Sequence, residues 1–290
     1  MRAEGPTAGI SADGRLRLVH GPIDLVVAAE GGAERVQAAY RRAHVAFVPV
    51  LTALVGELPR LRSPHGPDLS GAVARRMQAA TDRFAPVFVT PMAAVAGSVA
   101  DHVLAAMLKG AHGLTRAHVN NGGDIALWTS DRPLVLAICE DPVTGAAGAQ
   151  AAIGAGDGIG GVATSGWRGR SHSLGIADAV TVLARDAATA DAAATLIANA
   201  VDLPGHPGIA RAPARDLSPD SDLGDLPVTT DVAPLTPQDL NRALDRGMLV
   251  AQDYIDRGLI AAACLAAQGV RRMTGAAIAP ALSKDEKTHA

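Results

Sequence analysis

The sequence predicts an α+β fold, and two observations lead there. Short apolar or alternating runs come in pairs joined by turn residues, and long helical repeats are mixed among those pairs. That mixture favours helices packed on antiparallel sheet over a doubly wound parallel sheet. No internal repeat and no clean linker divides the chain. Residues 15–275 therefore read as one domain, with 1–14 and 276–290 as flexible tails.

Taken in order, Arg15 to Val19 and Ile23 to Ala29 read as two strands meeting at His20-Gly21-Pro22. From Val36 to Leu58 apolar residues recur near helical spacing, and Pro49 predicts a kink or break within that helix. A helical patch at 72–80 leads to a strand expected over Phe84–Val89. The next helix is expected from Met92 to Lys109, with Gly110 and Gly113 at its end. Ala117–Asn120 and Ile125–Trp128 read as strands around an Asn121-Gly122 turn, since both residue types tolerate positive φ. Leu134–Cys139 and Ala179–Ala184 read as buried strands and Ala187–Val201 as a helix. A long loop is expected over 202–235 and a helix over 237–267, weakened at Gly247 and Gly258.

The composition bounds the function. The chain has 290 residues, 48% hydrophobic and 19% charged, enough for a sizeable core. Aromatics make up only 2%, so Ala, Val, Leu and Ile must build that core. A net charge of −3 with no long basic run excludes a nucleic-acid footprint, which needs clustered Lys and Arg. Two cysteines, Cys139 and Cys264, cannot make a disulfide framework. Residues 1–14 hold no apolar run of the signal-peptide kind, and Leu259–Ala267 is too short to span a bilayer. A soluble cytoplasmic protein is expected.

The chemistry-bearing residues concentrate in 159–201. Thr164-Ser165-Gly166 with Trp167, Arg168 and Arg170 has the parts of a phosphate cradle: hydroxyls, guanidinium forks and an indole to stack on a flat ring. The same run also fits a solvated loop whose tryptophan covers core. His172 is the best single candidate for proton transfer, because its ordinary pKa lies near neutrality. Asp191 and Thr195 sit at i and i+4 on one helix face and could give oxygen ligands to Mg²⁺. The plainer reading has Thr189 capping the helix and Asp191 complementing its dipole, and spacing alone favours it. Upstream, Asn120-Asn121-Gly122-Gly123-Asp124 fits a hairpin turn, or a turn whose glycines let backbone N–H groups approach a ligand. No HExxH, Walker A loop or GxSxG is present.

In order and spacing, NNGGDI (120–125), RPLVLAICEDP (132–142), ATSG (163–166), His172 and ADAAAT (190–195) resemble the ApbE-like superfamily. The closer likeness is to its UPF0280 branch, through HGPIDL (20–25), PMAAVAG (91–97), HSLGIADAV (172–180) and ADAAATLIANAV (190–201). The resemblance covers most of 15–270. It implies an ApbE-type α+β fold and a site for FAD or a related flavin- or pterin-like nucleotide, with Mg²⁺-dependent flavin transfer as the superfamily's activity. By position it implies that Asn121, Gly122, Gly123 and Asp124 line the nucleotide site and that Thr164, Ser165 and Gly166 meet phosphates. It makes Asp191 and Thr195 the metal-binding pair, reversing the plainer reading. Asn120, Trp167 and Arg168 join the cofactor-binding set, and Asp124 and His172 are the candidate catalytic residues. Two departures stand out. Ala96 occupies the lysine position of a KG-x-x-x-D segment ending at Asp101, and Ser171-His172-Ser173-Leu174-Gly175 replaces the transferase block after TSG. The alternatives are a binding module without chemistry, or a structural or assembly protein that forms a homo-oligomer.

Overall fold

Strand alternation and helix periodicity resolve into three layers in a computed structural model, which describes residues 5–141, 146–169, 171–276 and 278–280. A meander of β1 (Thr7–Ile10), β2 (Leu16–His20) and β3 (Ile23–Gly31) opens the fold. Helices α1 (Ala33–Phe47), α2 (Val50–Gly56), α3 (Leu58–Leu61) and α4 (Ala72–Asp82) follow, and a 3-10 turn at Pro91–Ala94 leads into α5 (Val95–Met107). Then come hairpin β4 (Leu114–Asn121) and β5 (Asp124–Thr129), and hairpin β6 (Leu134–Asp141) and β7 (Ala146–Ile153). The chain continues through β8 (Gly161–Ser165), β9 (Ala179–Ala184), α6 (Ala187–Ala200), β10 (Ile209–Pro213), α7 (Ala214–Leu217) and β11 (Pro227–Val232). It closes with α8 (Pro237–Asp256), β12 (Ala262–Ala267), β13 (Val270–Thr274) and β14 (Ile278–Pro280).

The middle layer is a nine-stranded sheet ordered β1-β2-β3-β4-β5-β8-β9-β12-β13, antiparallel at every pairing. Helices cover one face, with α5 over β4 and β5, α6 over β8 and β9, and α8 over β12. The three-stranded sheet β14-β7-β6 covers part of the other face through Leu127, Val162, Leu183, Cys264, Ile138 and Ile153. This explains why β9 and β12 are buried at every residue and read as continuous small-apolar runs: both of their faces are covered. Alanine is what lets the helices come so close. On α6 all but four of the residues are buried, and each large aliphatic chain removed from water there contributes about 1.5–3 kcal/mol.

The α+β organisation expected from the sequence is the one observed, with six corrections. Thr7–Ile10 lies within the expected N-terminal tail yet pairs with β2. The strand expected at 84–89 is absent, because Pro86 has no N–H for a ladder; Phe84 instead packs on Tyr254 with ring centroids 4.8 Å apart. The expected 202–235 loop contains the β10–β11 pair and α7. The expected 237–267 helix stops at Asp256, with Gly258 donating to the Ile255 carbonyl, and 262–267 becomes central strand β12. Strand β7 had no signal in its alanine-rich sequence. At the other end Ile278–Pro280, within the expected tail, pairs with β7, and 281–290 lie outside the described residues. Among the described residues no helix is long and apolar enough to cross a membrane.

Candidate functional site

The hairpin β4–β5 delivers the first side chains. Residues alternate across a strand, so Asn121 shares the helix-facing side of Ala117 and Val119 while Asn120 faces away. Asn121 Nδ2 donates to the Ala96 carbonyl at 3.2 Å, joining the sheet to the start of α5. Asn120 Oδ1 accepts the Gly123 N–H at 2.9 Å and closes the turn, where Gly122 and Gly123 adopt φ of 69° and 116°. Asp124 then opens β5 on the helix side, and its Oδ1 accepts the Thr164 N–H at 3.2 Å, tying β5 to β8.

Helices α5 and α6 cap one another. Asp186 is the N-cap of α6, accepting the Thr189 N–H at 2.7 Å, so Thr189 is not the cap that spacing suggested. Asp101, on α5, takes the next donors: its two oxygens accept the Ala187 and Ala188 N–H groups at 3.1 and 2.9 Å. In return Asp191, on α6, accepts the Gly97 N–H at 3.0 Å in the first turn of α5, which has no cap side chain of its own. Gly97 permits this approach, since a Cβ there would lie 2.2 Å from the Ala187 carbonyl oxygen. Each helix thus satisfies orphan donors of the other.

Both acids have altered proton affinity. Burial pushes Asp101 up to about 6, against the opposing pull of the Ala188 and Ala187 N–H groups. Burial also drives Asp191 well above the ordinary carboxylate range, and the negative charge of nearby Asp124 adds to the rise. The Gly97 and Ala96 N–H groups oppose it. The result is two carboxylates, Asp124 and Asp191, converging at the N-terminus of a helix beside an asparagine amide. Among the described residues no group of three or more His, Cys, Asp or Glu is gathered as a metal cluster.

The remaining residues divide between this cluster and other parts of the fold. Thr164 donates its backbone N–H to Asp124, but its hydroxyl lies 2.8 Å from that of Thr181; strand alternation puts Val162 and Thr164 on the side away from α6. Ser165 shares the helix-facing side of Ala163. Gly166 runs so close to β9 that a Cβ would meet the Asp178 carbonyl oxygen at 2.3 Å. Trp167 Nε1 and Arg168 Nε both donate to Asp178 Oδ1, at 3.2 and 2.8 Å, and the guanidinium lies 4.9 Å from the indole centroid. The indole is part-buried against the main core. Arg170 lies outside the described residues. His172 precedes Ser173 and Leu174, which are tied to Asn199 Oδ1 at 3.2 and 2.9 Å. Asn199 is eight residues beyond Asp191, about 12 Å along the helix. His172 therefore belongs to the opposite end of α6 from Asp124 and Asp191. Thr195, one turn after Asp191, is half-buried.

On the far face of the sheet, the Asn120–Gly123 turn borders a cleft of about 470 Å³ walled by Arg15, Arg17, Asp24 and Ser11.

The family model described as AbpE bacteria matches residues 8–273. This chain belongs to that family. Relatives named UPF0280 protein include one from Methanothrix thermoacetophila, 40% identical over 162 residues, covering 54% of this chain and 62% of that protein. Another, from Methanosphaerula palustris, is 40% identical over 155 residues, covering 51% and 59%. Each match spans less than two thirds of the relative's length. Solved structures to which the chain is similar include the ApbE protein of Thermotoga maritima, at 14% identity, 98% coverage of each chain and a TM-score of 0.43. The apo flavinyl transferase ApbE of Pseudomonas stutzeri aligns over 93% of this chain and 94% of its own, at 16% identity and a TM-score of 0.38. The family read from the motif order is borne out.

Within this AbpE-family chain, residue-by-residue reading missed two partners. Asp178 gathers Trp167, Arg168 and the Gln268 N–H, and the only sequence hint was an acid inside the apolar run IADAV. Asp186 was overlooked as a cap although it immediately precedes the helical run and lies three residues before Thr189.

Proposed function

We propose that this protein binds a flavin-type nucleotide where α5, α6 and the β4–β5 turn meet, and that it serves group transfer in cofactor metabolism. The observation that carries the reading is the convergence of Asn121, Asp124 and Asp191 on the first turn of α5. These are the positions that the family resemblance marks as nucleotide- and metal-binding. The donor set also fits Mg²⁺: Asp191 offers a carboxylate oxygen and Thr195 a hydroxyl, both hard ligands, and the charge of nearby Asp124 makes a cation there favourable. Bound there, Mg²⁺ would supply charge neutralisation for a diphosphate.

In this reading Asn121 and the backbone of Gly122 and Gly123 orient the ligand at the turn. Ser165 and Gly166, at the end of β8, face its phosphates. Asp124 is the proton acceptor, since it stands beside Asp191, while His172 lies at the other end of α6. Trp167 and Arg168 hold the β8–β9 connection through Asp178. The second reading, ligand binding without turnover, is favoured by Ala96: where the transferase pattern has a lysine, this residue brings only backbone groups to the site.

A thermal-shift panel of FAD, FMN, ADP and pterins with and without Mg²⁺ tests the proposal, because a ligand of the folded state raises apparent stability by mass action. A concentration-dependent, Mg²⁺-enhanced shift with FAD is expected. No shift with any flavin would overturn it, and binding without product in the presence of threonine-bearing acceptor proteins would leave the second reading.

A further inference from the structure

We propose that the groove between α4 and the first turn of α6 is a phosphate-binding site, separate from the Asp124–Asp191 cluster. The groove has a volume of about 270 Å³, lined by Arg75 and Arg76 of α4 and Arg83 at its C-terminal end, with small alanines between them. Arg83 follows Arg76 and Arg75 by seven and eight residues, two helical turns, which keeps it on their side of the helix. Across the groove stand Asp186, Ala188 and Thr189.

Charge favours an anion. Three arginines line the groove, Arg75 also donating to the Ser70 carbonyl, against the single lining carboxylate of Asp186, which already accepts the Thr189 N–H and has Arg185 at 4.0 Å. Asp101 lies 3.8 Å from Arg76, but its oxygens are turned to the Ala187 and Ala188 N–H groups. The positive end of the α6 dipole points the same way. Those first N–H groups all have acceptors, so an incoming anion meets side chains rather than backbone. The wall also carries an independent sign of a missing partner. Thr189 is 1% exposed, and its hydroxyl finds no hydrogen-bond partner among the described residues. A phosphate oxygen seated among the arginines would supply the acceptor.

Guanidinium forks bind phosphate oxygens bidentately, so the ligand class is a phosphate monoester or the end of a diphosphate. Thr189 and Asp191 are two residues apart, about 200° around the helix, so the two sites occupy different faces of α6. The site stands whether or not the flavin reading holds.

Calorimetric titration with inorganic pyrophosphate, free of divalent cations, tests it. Saturable one-to-one binding to the wild-type protein is expected. Affinity should fall at least ten-fold in Arg75→Gln/Arg83→Gln, whose side chains are exposed and whose fold a melt verifies, and several-fold in Thr189→Val. Asp191→Asn should leave it unchanged. Absence of saturable binding, binding that survives the double arginine substitution, or loss of binding in Asp191→Asn alone would each overturn the assignment.

Discussion

Replacing Asp101 by asparagine should change how stability depends on pH more than it changes stability at any one pH. Asp101 is 9% exposed, holds two N–H groups of α6 and has its pKa pushed from 3.8 up to about 6 by burial. The folded state therefore binds this proton more tightly than the unfolded chain. The stability it contributes is present in full below about pH 4 and is lost as pH rises through about 6. A rise from 3.8 to about 6 corresponds to roughly 3 kcal/mol. Asparagine has no such proton, and it leaves one α6 N–H facing an amide group, a cost of about 1–3 kcal/mol. Urea unfolding of wild type and Asp101→Asn from pH 4.5 to 8 should show the gap between them shrinking by a large part of that 3 kcal/mol toward alkaline pH. Other titrating groups cancel in the difference. Parallel profiles would refute the reasoning.

Further predictions rest on the same helix pair. Gly97→Ala would put a Cβ 2.2 Å from the Ala187 carbonyl oxygen, so equilibrium unfolding should show a loss of about 3 kcal/mol. Asp186→Ala removes the α6 N-cap and should lower stability by about 1 kcal/mol by the same assay. Asp191→Asn relieves a half-buried carboxylate crowded by Asp124, so without ligand its melting temperature at pH 8 should equal or exceed that of wild type. A clear fall would contradict the crowding of the two carboxylates.

Much of the fold was legible because local chemistry and burial agree in it. The β4–β5 hairpin followed from Asn-Gly, the α1–α2 break from Pro49, and β9 from an unbroken apolar run. Alanine-rich stretches failed where periodicity cannot tell a buried strand from a helix. AACLAA at 262–267 continued the apolar spacing of α8, and only its seat in the middle of the sheet makes it a strand. The candidate site divided in the same way. Asp124 and the glycine turn lie within one hairpin, but the exchange of caps joins Asp101 to residue 187 and Asp191 to residue 97. No local pattern encodes a contact over that separation. Trp167 and Arg168 read as ligand groups in the sequence, and their shared partner Asp178 was not legible there because it lies eleven and ten residues away across a turn.

The most direct test of the central claim is an equilibrium titration of FAD fluorescence with and without Mg²⁺, for wild type, Asp191→Asn and Asn121→Ala. Saturable binding to wild type that Mg²⁺ tightens is expected. Binding should be at least ten-fold weaker in both variants, with the Mg²⁺ effect gone in Asp191→Asn. Equal affinity in all three proteins, or an affinity indifferent to Mg²⁺ in wild type, would contradict that claim.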